Sequence, residues 1–576
     1  MFSDSYKTSG VNIDKVKTPE ETLNWVESRF KTLDFPILHE VKRIDKNRLT
    51  IPVYVSRYSA QAASITGTRK QMGKGISEAQ ARASAIMELV ERFSIFHFVK
   101  KREQQFKLTS EIPEPKLPLH HMLQAIHWEN KNNGEEEIIQ NLLMKWTKGF
   151  RPYTQSYYNT PFSWFWPINE YNGSAAGNSL EEAAVQAISE VVERHVCSLI
   201  TYNRLNTPEI DQDSITHPDL LDLLDKFKKL NIKVILKDFT LDMGIPTIGA
   251  IAWDPSTFPT RSEIVYTAGT APNPERAAIR ALTEVAQLAG DFDTDGKYLE
   301  SGLPKFDTLD EAAYVIESDE KVSIKELPDI SANNFKQEIE AMAQALEKKG
   351  LPLYLIDITH DGLKVPAIYA IIPGNHFRDR TLNIEFPYHA ARIAISSDID
   401  SSYEALNLID KHFPNRYDIA FYKGYVLEEK GLFQDALNWY EKALQLSPEP
   451  IELASIYCHR ANCLKGLNKY EEALDELAKA EKYNDALKEI YNLKGYCFFK
   501  LDRHLEAIEA FEKAISIDPG SAIDYANIGS NLDKLGLKEA ASRWYEMALE
   551  LDPELDWVRE KLAKLDEEKT ISSTTG

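Results

Sequence analysis

The stretch GKGISEAQARASAIMELVERFS, residues 73–94, decides how most of the chain before residue 400 is to be read. Gly73, Lys74 and Gly75 open it, and the run that follows has the apolar spacing of a helix over Ala79–Phe96. Ser84, Glu88 and Glu91 share one polar stripe of that helix, with Arg92 beside them. A mostly buried helix gains nothing from two carboxylates a turn apart unless a counter-charge meets them. The device recurs. A constant displacement turns Gly75, Glu88, Glu91 and Arg92 into Gly177, Glu190, Glu193 and Arg194, within AAGNSLEEAAVQAISEVVERHV at 175–196. A second one carries Gly73, Gly75, Glu88 and Glu91 to Gly269, Ala271, Glu284 and Gln287, around RAAIRALTEVAQ at 276–287. Three glycine-led helices with matching polar faces point to one site assembled from internal repeats.

If the three faces converge, carboxylates from separate helices share a small volume, and their repulsion calls for cations. Hard divalent ions with oxygen ligands meet that need, and Mg2+ prefers to bridge carboxylates to phosphates. Lys74 in its glycine setting, with Arg92 and Arg194 on the helix faces, suits phosphate oxygens. The residues therefore predict a metal–nucleotide site. For one copy alone, a solvated face of ion pairs is the simpler reading; three copies in register argue against it. Gly67–Gly75 does not make a Walker loop, because Gly75 stands where that loop needs Ser or Thr.

At 576 residues the chain exceeds what one core serves, so two or more domains are expected. The net charge of -22 argues against nucleic acid or an anionic membrane as the main partner. Cys197, Cys458, Cys463 and Cys497 fit neither a disulfide framework nor a zinc pattern, which suggests a reducing, cytoplasmic setting. Neither a signal peptide nor an apolar run of about 18 residues is visible, so no export or membrane insertion is expected. Thr18-Pro19-Glu20-Glu21 opens an early helix, and Ile44–Val55 reads as a hairpin. Two further hairpins are expected at Ile232–Trp253 and Leu351–Ile372. The Pro-spaced, aromatic stretch Thr109–Tyr171 reads as an insertion packed over the sheet. His120 and His121 are expected at the surface, and His195 and Cys197 as packing residues without a nucleophilic role.

From about residue 400 helix pairs recur. Ala436, Ala473, Ala507 and Ala541 are nearly evenly spaced, each preceded by a small residue (Gly424, Ala461, Gly495, Gly529) and followed by Ala443, Ala480, Ala514 or Ala548. This is the tetratricopeptide (TPR) pattern, in which Tyr440, Phe511 and Tyr545 would fill the gap that the small residues leave. Leu555–Leu565 would cap the array.

With its three motifs in order, and with IDITHDG (356–362) and IIPG (371–374) after them, the chain resembles the YcaO family over roughly residues 5–398. The expected architecture is an α+β YcaO-like sheet-and-helix domain with internal repeats over 1–398, an all-α TPR solenoid over 399–566 and a flexible tail over 567–576. The resemblance implies ATP and Mg2+ as cofactors. It also implies delivery of the γ-phosphoryl group to the oxygen of a peptide amide, so that a nucleophile attacks the activated carbon and phosphate departs. By motif position, Glu88, Glu91, Glu182, Glu190, Glu193 and Glu284 would hold metal, and Ser84 and Asn178 would contact nucleotide. Lys74, Arg92 and Arg194 would steady phosphates, with Glu88, Glu193, Arg92 and Arg194 as the catalytic set. Lys7, Arg280 and Gln287 would complete the nucleotide contacts. Ala175 departs from the serine that some members carry there, and the Pro-rich end of azoline-forming cyclodehydratases is missing. The chain therefore resembles stand-alone members, either the thioamide-forming kind that works with a TfuA-like protein and sulfide or the kind linked to ribosomal-protein methylthiolation. A peptide or protein substrate, a TfuA-like or methylthiotransferase partner, protein contacts through the repeats and a homodimer are implied. The rival reading is a nucleotide-binding docking scaffold whose TPR groove recruits a partner protein.

Overall fold

The computed structural model describes residues 2–8, 14–100, 106–129, 134–293, 303–377 and 384–574. They form two compact units, Met1–Glu136 with Met144–Phe386, and Glu137–Leu143 with Pro387–Gly576.

Among the described residues the first unit holds three sheets. Leu38–Arg43, Val53–Tyr58 and Lys70–Lys74 form an antiparallel three-stranded sheet in that order. The hairpin expected over Ile44–Val55 therefore starts earlier: Arg43 faces Tyr54, and Ile44–Pro52 is the connection. Asp45 closes it by accepting hydrogen bonds from the Val53 N–H and the Arg43 Nε, both at 2.9 Å. Leu49 and Ile51, the apolar residues that read as strand, instead enter a core beneath the third motif helix. A five-stranded sheet runs Val265–Thr270, Thr247–Trp253, Lys233–Asp238, Glu209–Asp211 and Lys321–Ser323. It contains the expected hairpin, with Ile248 opposite Asp238 and Trp253 opposite Lys233.

A six-stranded sheet runs Phe106–Leu108, Leu143–Arg151, Tyr354–Asp357, Ala367–Ile371 and Ser174–Ala176, with Ser156–Pro161 paired to Leu143–Arg151. The stretch read as a covering insertion thus supplies strands to the sheet itself. Its prolines misled: Pro161 ends an edge strand, where no ladder donor is missed. His121 is buried as well, its Nδ1 2.9 Å from the Tyr354 hydroxyl, and burial lowers its pKa to about 4. It is a neutral core group, not a surface one.

Each sheet carries one motif helix: Glu78–Lys100 on the three-stranded sheet, Leu180–Asn203 on the six-stranded and Pro274–Ala289 on the five-stranded. Ser179 and Asn273 cap the second and third by accepting the N–H groups of Glu182 and Arg276, and Pro274 occupies the first turn of the third. Sheet hydroxyls fix the seating. Ser56 donates to the Ala85 carbonyl at 2.8 Å, and Thr267 to the Ala281 carbonyl at 2.9 Å.

The second unit contains helix pairs Tyr417–Glu429 with Phe433–Gln445, Pro450–Gly466 with Tyr470–Tyr483, Lys488–Lys500 with His504–Ile517, and Ala522–Lys534 with Lys538–Leu551. The aromatics fill their gaps as expected: the Tyr440, Phe511 and Tyr545 rings lie where any side chain on Gly424, Gly495 or Gly529 would collide. The last helix spans Asp556–Thr574, so the stretch expected as a tail is helical to Thr574, and the final two residues lie outside the described ones.

Glu428 is buried between the first two pairs and accepts from the Tyr440 hydroxyl at 2.6 Å, His459 Nδ1 at 3.0 Å and Asn462 Nδ2 at 2.5 Å. Burial pulls its pKa up, but His459 and these donors outweigh that and hold it below the usual carboxylate range. The stability it adds is therefore present above about pH 4.3 and is lost as pH falls through its lowered folded pKa. Glu428→Ala strands three donors and is expected to cost about 3 kcal/mol at neutral pH, read as a lowered midpoint in urea unfolding.

Candidate active site

Lys74 ends an edge strand and projects to the third motif helix, where its ammonium pairs with the Glu284 carboxylate. Burial lowers its pKa to about 8, against the opposing pull of Glu88 and Glu193, while Arg280 and Arg194 add to the lowering. One lysine thus feels charges from all three motif helices. Below pH 8 it is a cation, and above it a neutral amine. Affinity for an ATP analogue with Mg2+ is expected to fall several-fold between pH 7 and about 9, and Lys74→Arg to flatten that dependence. Isothermal titration across that range checks it.

On the first helix, Arg92 bridges back to both carboxylates, with Nη1 3.1 Å from Glu91 and Nη2 3.9 Å from Glu88. Its guanidinium lies 4.1 Å from the centre of the Tyr171 ring and donates to the Tyr171 carbonyl and the Ser174 hydroxyl, both at 3.3 Å. The Ser174 hydroxyl stands 2.9 Å from Glu91 Oε1. Burial first, then Glu190 and Glu88, raise the Glu91 pKa, and Arg92 opposes them. Burial and Glu190 likewise raise that of Glu88, against Arg92 and Lys74.

The second helix contributes Glu190, which accepts the Gly173 N–H at 3.2 Å and lies 3.8 Å from Arg194. Glu193 accepts the Thr270 N–H at 3.1 Å, which ties this helix to the strand preceding the third. Burial raises the Glu193 pKa, while Arg194, Arg280 and Lys74 pull it down. On the third helix the Arg280 Nη1 donates to Gln186 Oε1, and its buried Nε has no partner among the described residues. Ser84 and Gln287 are half-buried, one turn from Glu88 and Glu284 respectively.

Glu88, Glu193 and Glu284 therefore meet around Lys74, and Glu91 and Glu190 adjoin them through Arg92, with Arg194 and Arg280 interleaved. Among the described residues no three acidic, imidazole or thiolate groups are gathered into a ready-made metal cluster. The cations between the carboxylates keep them apart. The donors are all hard oxygens, burial and neighbouring carboxylates raise the pKa of three of them, and among the described residues a buried guanidinium N–H has no acceptor. That set fits Mg2+ together with phosphate.

Three of the residues expected at the site are engaged by contacts that hold the N-terminal segment. Glu182 is buried and bound to the Val16 N–H at 2.9 Å, to Asn178 Nδ2 at 3.2 Å and to Lys15 at 3.6 Å. Asn178 also accepts from Thr22 at 3.0 Å. Lys7 donates to the buried Glu338 at 2.6 Å and pairs with Asp14. All three pin the N-terminal segment down, a role that helix periodicity could not show. Gln186 was missed, although it lies on the same stripe, one turn from Glu182 and one turn from Glu190. Ser174 and Tyr171 were missed because only tertiary folding brings them to Arg92.

Cys197 is buried, which holds its thiol protonated, and His195 accepts the His376 N–H at 2.9 Å as a packed core group.

The family model described as YcaO cyclodehydratase, ATP- and Mg2+-binding, matches residues 72–376, more than half of the chain. The chain belongs to the YcaO family. It is an ATP-dependent protein of the YcaO type, with ATP and Mg2+ as cofactors. Tetratricopeptide-repeat models match 397–449, 489–521 and 525–555. An uncharacterized Methanothermobacter thermautotrophicus protein is 29% identical over 62% of this chain and 93% of its own length. An uncharacterized protein in the tfuA 3′ region of Rhizobium leguminosarum bv. trifolii is 24% identical over 63% of this chain and 88% of its own. Among solved structures, a heterocyclase in complex with substrate and cofactor superposes with a TM-score of 0.53 at 19% identity. That match covers 66% of this chain and 54% of the heterocyclase, and shows the YcaO fold. No described helix is long and apolar enough to cross a membrane.

Proposed function

We propose that this YcaO protein activates a backbone amide of a peptide or protein by phosphorylating its oxygen, and that the product is a thioamide. The observation that carries the reading is the meeting of three acidic helix faces around Lys74, with Arg92, Arg194 and Arg280 between them. In this reading Glu88, Glu91, Glu190, Glu193 and Glu284 hold Mg2+, which when bound neutralises carboxylates and phosphates together. Glu182 joins them if the N-terminal segment releases it. Lys74, Arg92 and Arg194 steady phosphates, Arg280 presents its free Nε to an acceptor, and Ser84, Asn178, Gln287 and Lys7 border the nucleotide.

The amide oxygen takes the γ-phosphoryl group and ADP leaves; sulfide then attacks the amide carbon, and phosphate leaves with the former amide oxygen. No side chain need act as nucleophile, in keeping with the protonated, buried Cys197. Sulfide is favoured over an internal hydroxyl or thiol by the relative in a tfuA region, matched over nearly its whole length. The catalytic part is assigned to 1–398, and the repeats over 399–566 to recruitment of substrate or a TfuA-like partner. A substrate peptide labelled with 18O at the amide tests the chemistry. The label should appear in inorganic phosphate, with a mass gain in the peptide equal to replacement of oxygen by sulfur. Unlabelled phosphate would overturn it.

A further inference from the structure

The strand that delivers Lys74 to the site is also the last strand of its sheet: Lys70–Lys74 pairs with Val53–Tyr58 on one side, and no described strand pairs with the other. An unpaired edge offers a row of backbone N–H and C=O groups to an incoming chain. Its far end opens on a cleft of about 980 Å3, backed by Ala60 and Ala63 and ringed by His39, Arg57, Arg69 and Lys70. All four of those polar residues are exposed. Arg57 has Glu40 at 4.0 Å, while among the described residues Arg69 and Lys70 have no carboxylate partner. On a chain of net charge -22, two adjacent cations without a carboxylate partner among the described residues, beside Arg57, make a locally positive patch.

We infer that this cleft and edge form the track on which the peptide substrate lies: an acidic segment seated against Arg57, Arg69 and Lys70, followed by an extended segment added as a strand beside Lys70–Lys74. The inference rests on the reading of the site as a peptide-amide-activating centre and names its substrate class. At about 3.4 Å per residue, the strand carries the bound backbone about 14 Å from the cleft to Lys74. Pairing fixes the orientation of each amide plane, which a centre that phosphorylates one particular amide oxygen requires. A polyanion could answer the positive charge but not the ladder of amide groups.

The test uses the full-length protein and two fluorescein-labelled peptides, DEDEGVGVG and KKKKGVGVG, with a single-stranded RNA of similar length as a third ligand. The acidic peptide should bind at least about tenfold more tightly than the basic one. Arg69→Glu with Lys70→Glu should remove that preference, and Arg69→Ala with Lys70→Ala should weaken it. Hydrogen exchange should show new protection at the amides of 70–74 with the acidic peptide. Equal binding of the two peptides, no response to charge reversal, no protection along the strand, or tighter binding of the RNA would each overturn the track. Binding of an ATP analogue with Mg2+, followed on the same samples, separates the two readings. Its absence in the unmodified protein sinks the enzymatic one, whereas its persistence beside any of the adverse peptide results sinks only this inference.

Discussion

Replacing Glu88 or Glu193 by alanine is expected to lower Mg2+-dependent ATP turnover at least about a hundredfold, while the folded protein without nucleotide loses little stability. The two halves of that outcome have one cause. Burial, followed by Glu190, holds both carboxyls above their ordinary pKa, even with Arg92 and Lys74 near Glu88, and Arg194 and Arg280 near Glu193. A group raised in this way adds stability below its unfolded value of about 4.3, and that stability is lost as pH rises through the folded value. Where ionised, each carboxylate is thus a charge held against the pull of burial, offset at Glu193 by the bond it accepts from the Thr270 N–H. Deleting it relieves the crowding but removes an oxygen ligand that Mg2+ and triphosphate would need. Thermal unfolding with and without MgCl2 and an ATP analogue shows the difference: stabilisation by the ligands in the unmodified protein, little in either variant. Turnover within a few-fold of the unmodified rate in both variants would remove these residues from the site.

The three repeated stripes were legible because helix period places Glu88 with Glu91, Glu190 with Glu193 and Glu284 with Gln287, whatever surrounds them. Their convergence was legible too, since charge of one sign on buried faces needs an answer from elsewhere in the chain. What periodicity could not supply was the identity of that answer. Lys74 reaches Glu284 across a sheet edge, and Arg92 is met by Ser174 on a strand of another sheet and by Tyr171 in the turn before that strand. For the same reason Glu182 was grouped with Glu190 by its position, although the N-terminal segment claims it through the Val16 N–H. The repeats were the easiest part to read, because each small residue and its aromatic lie within one helix pair. His121 was the hardest: its neutral state depends on burial beside Tyr354, far away in sequence.

The glycines that open the motifs should prove as sensitive as the carboxylates, for a different reason. A Cβ on Gly73 would lie 2.0 Å from the Ala85 nitrogen and 2.5 Å from the Ala81 carbonyl oxygen. On Gly269 it would lie 2.3 Å from the Ala277 oxygen and 2.6 Å from the Ala281 nitrogen, and on Gly177 2.6 Å from the Ala183 nitrogen. In each case the obstacle is helix backbone, which cannot swing aside as a side chain does. The motif helix must then lift off its strand, losing the Ser56 bond to Ala85 in the first copy and the Thr267 bond to Ala281 in the third. Gly73→Ala and Gly269→Ala are each expected to cost more than about 3 kcal/mol, the upper end of what overpacking usually exacts. Nucleotide binding should vanish even where some fold remains, because Lys74 follows Gly73 directly and Glu284 rides on the displaced third helix. Gly67 is the control. Its φ of +70° disfavours a side chain, but a Cβ there meets nothing within 4 Å. Gly67→Ala should therefore cost only about 1 kcal/mol of backbone strain and leave nucleotide binding intact. Urea unfolding of the three variants checks the order. Equal costs at 67, 73 and 269 would mean that the glycines serve only their own turns, and that the repeated motif is not a seat for the helix that follows.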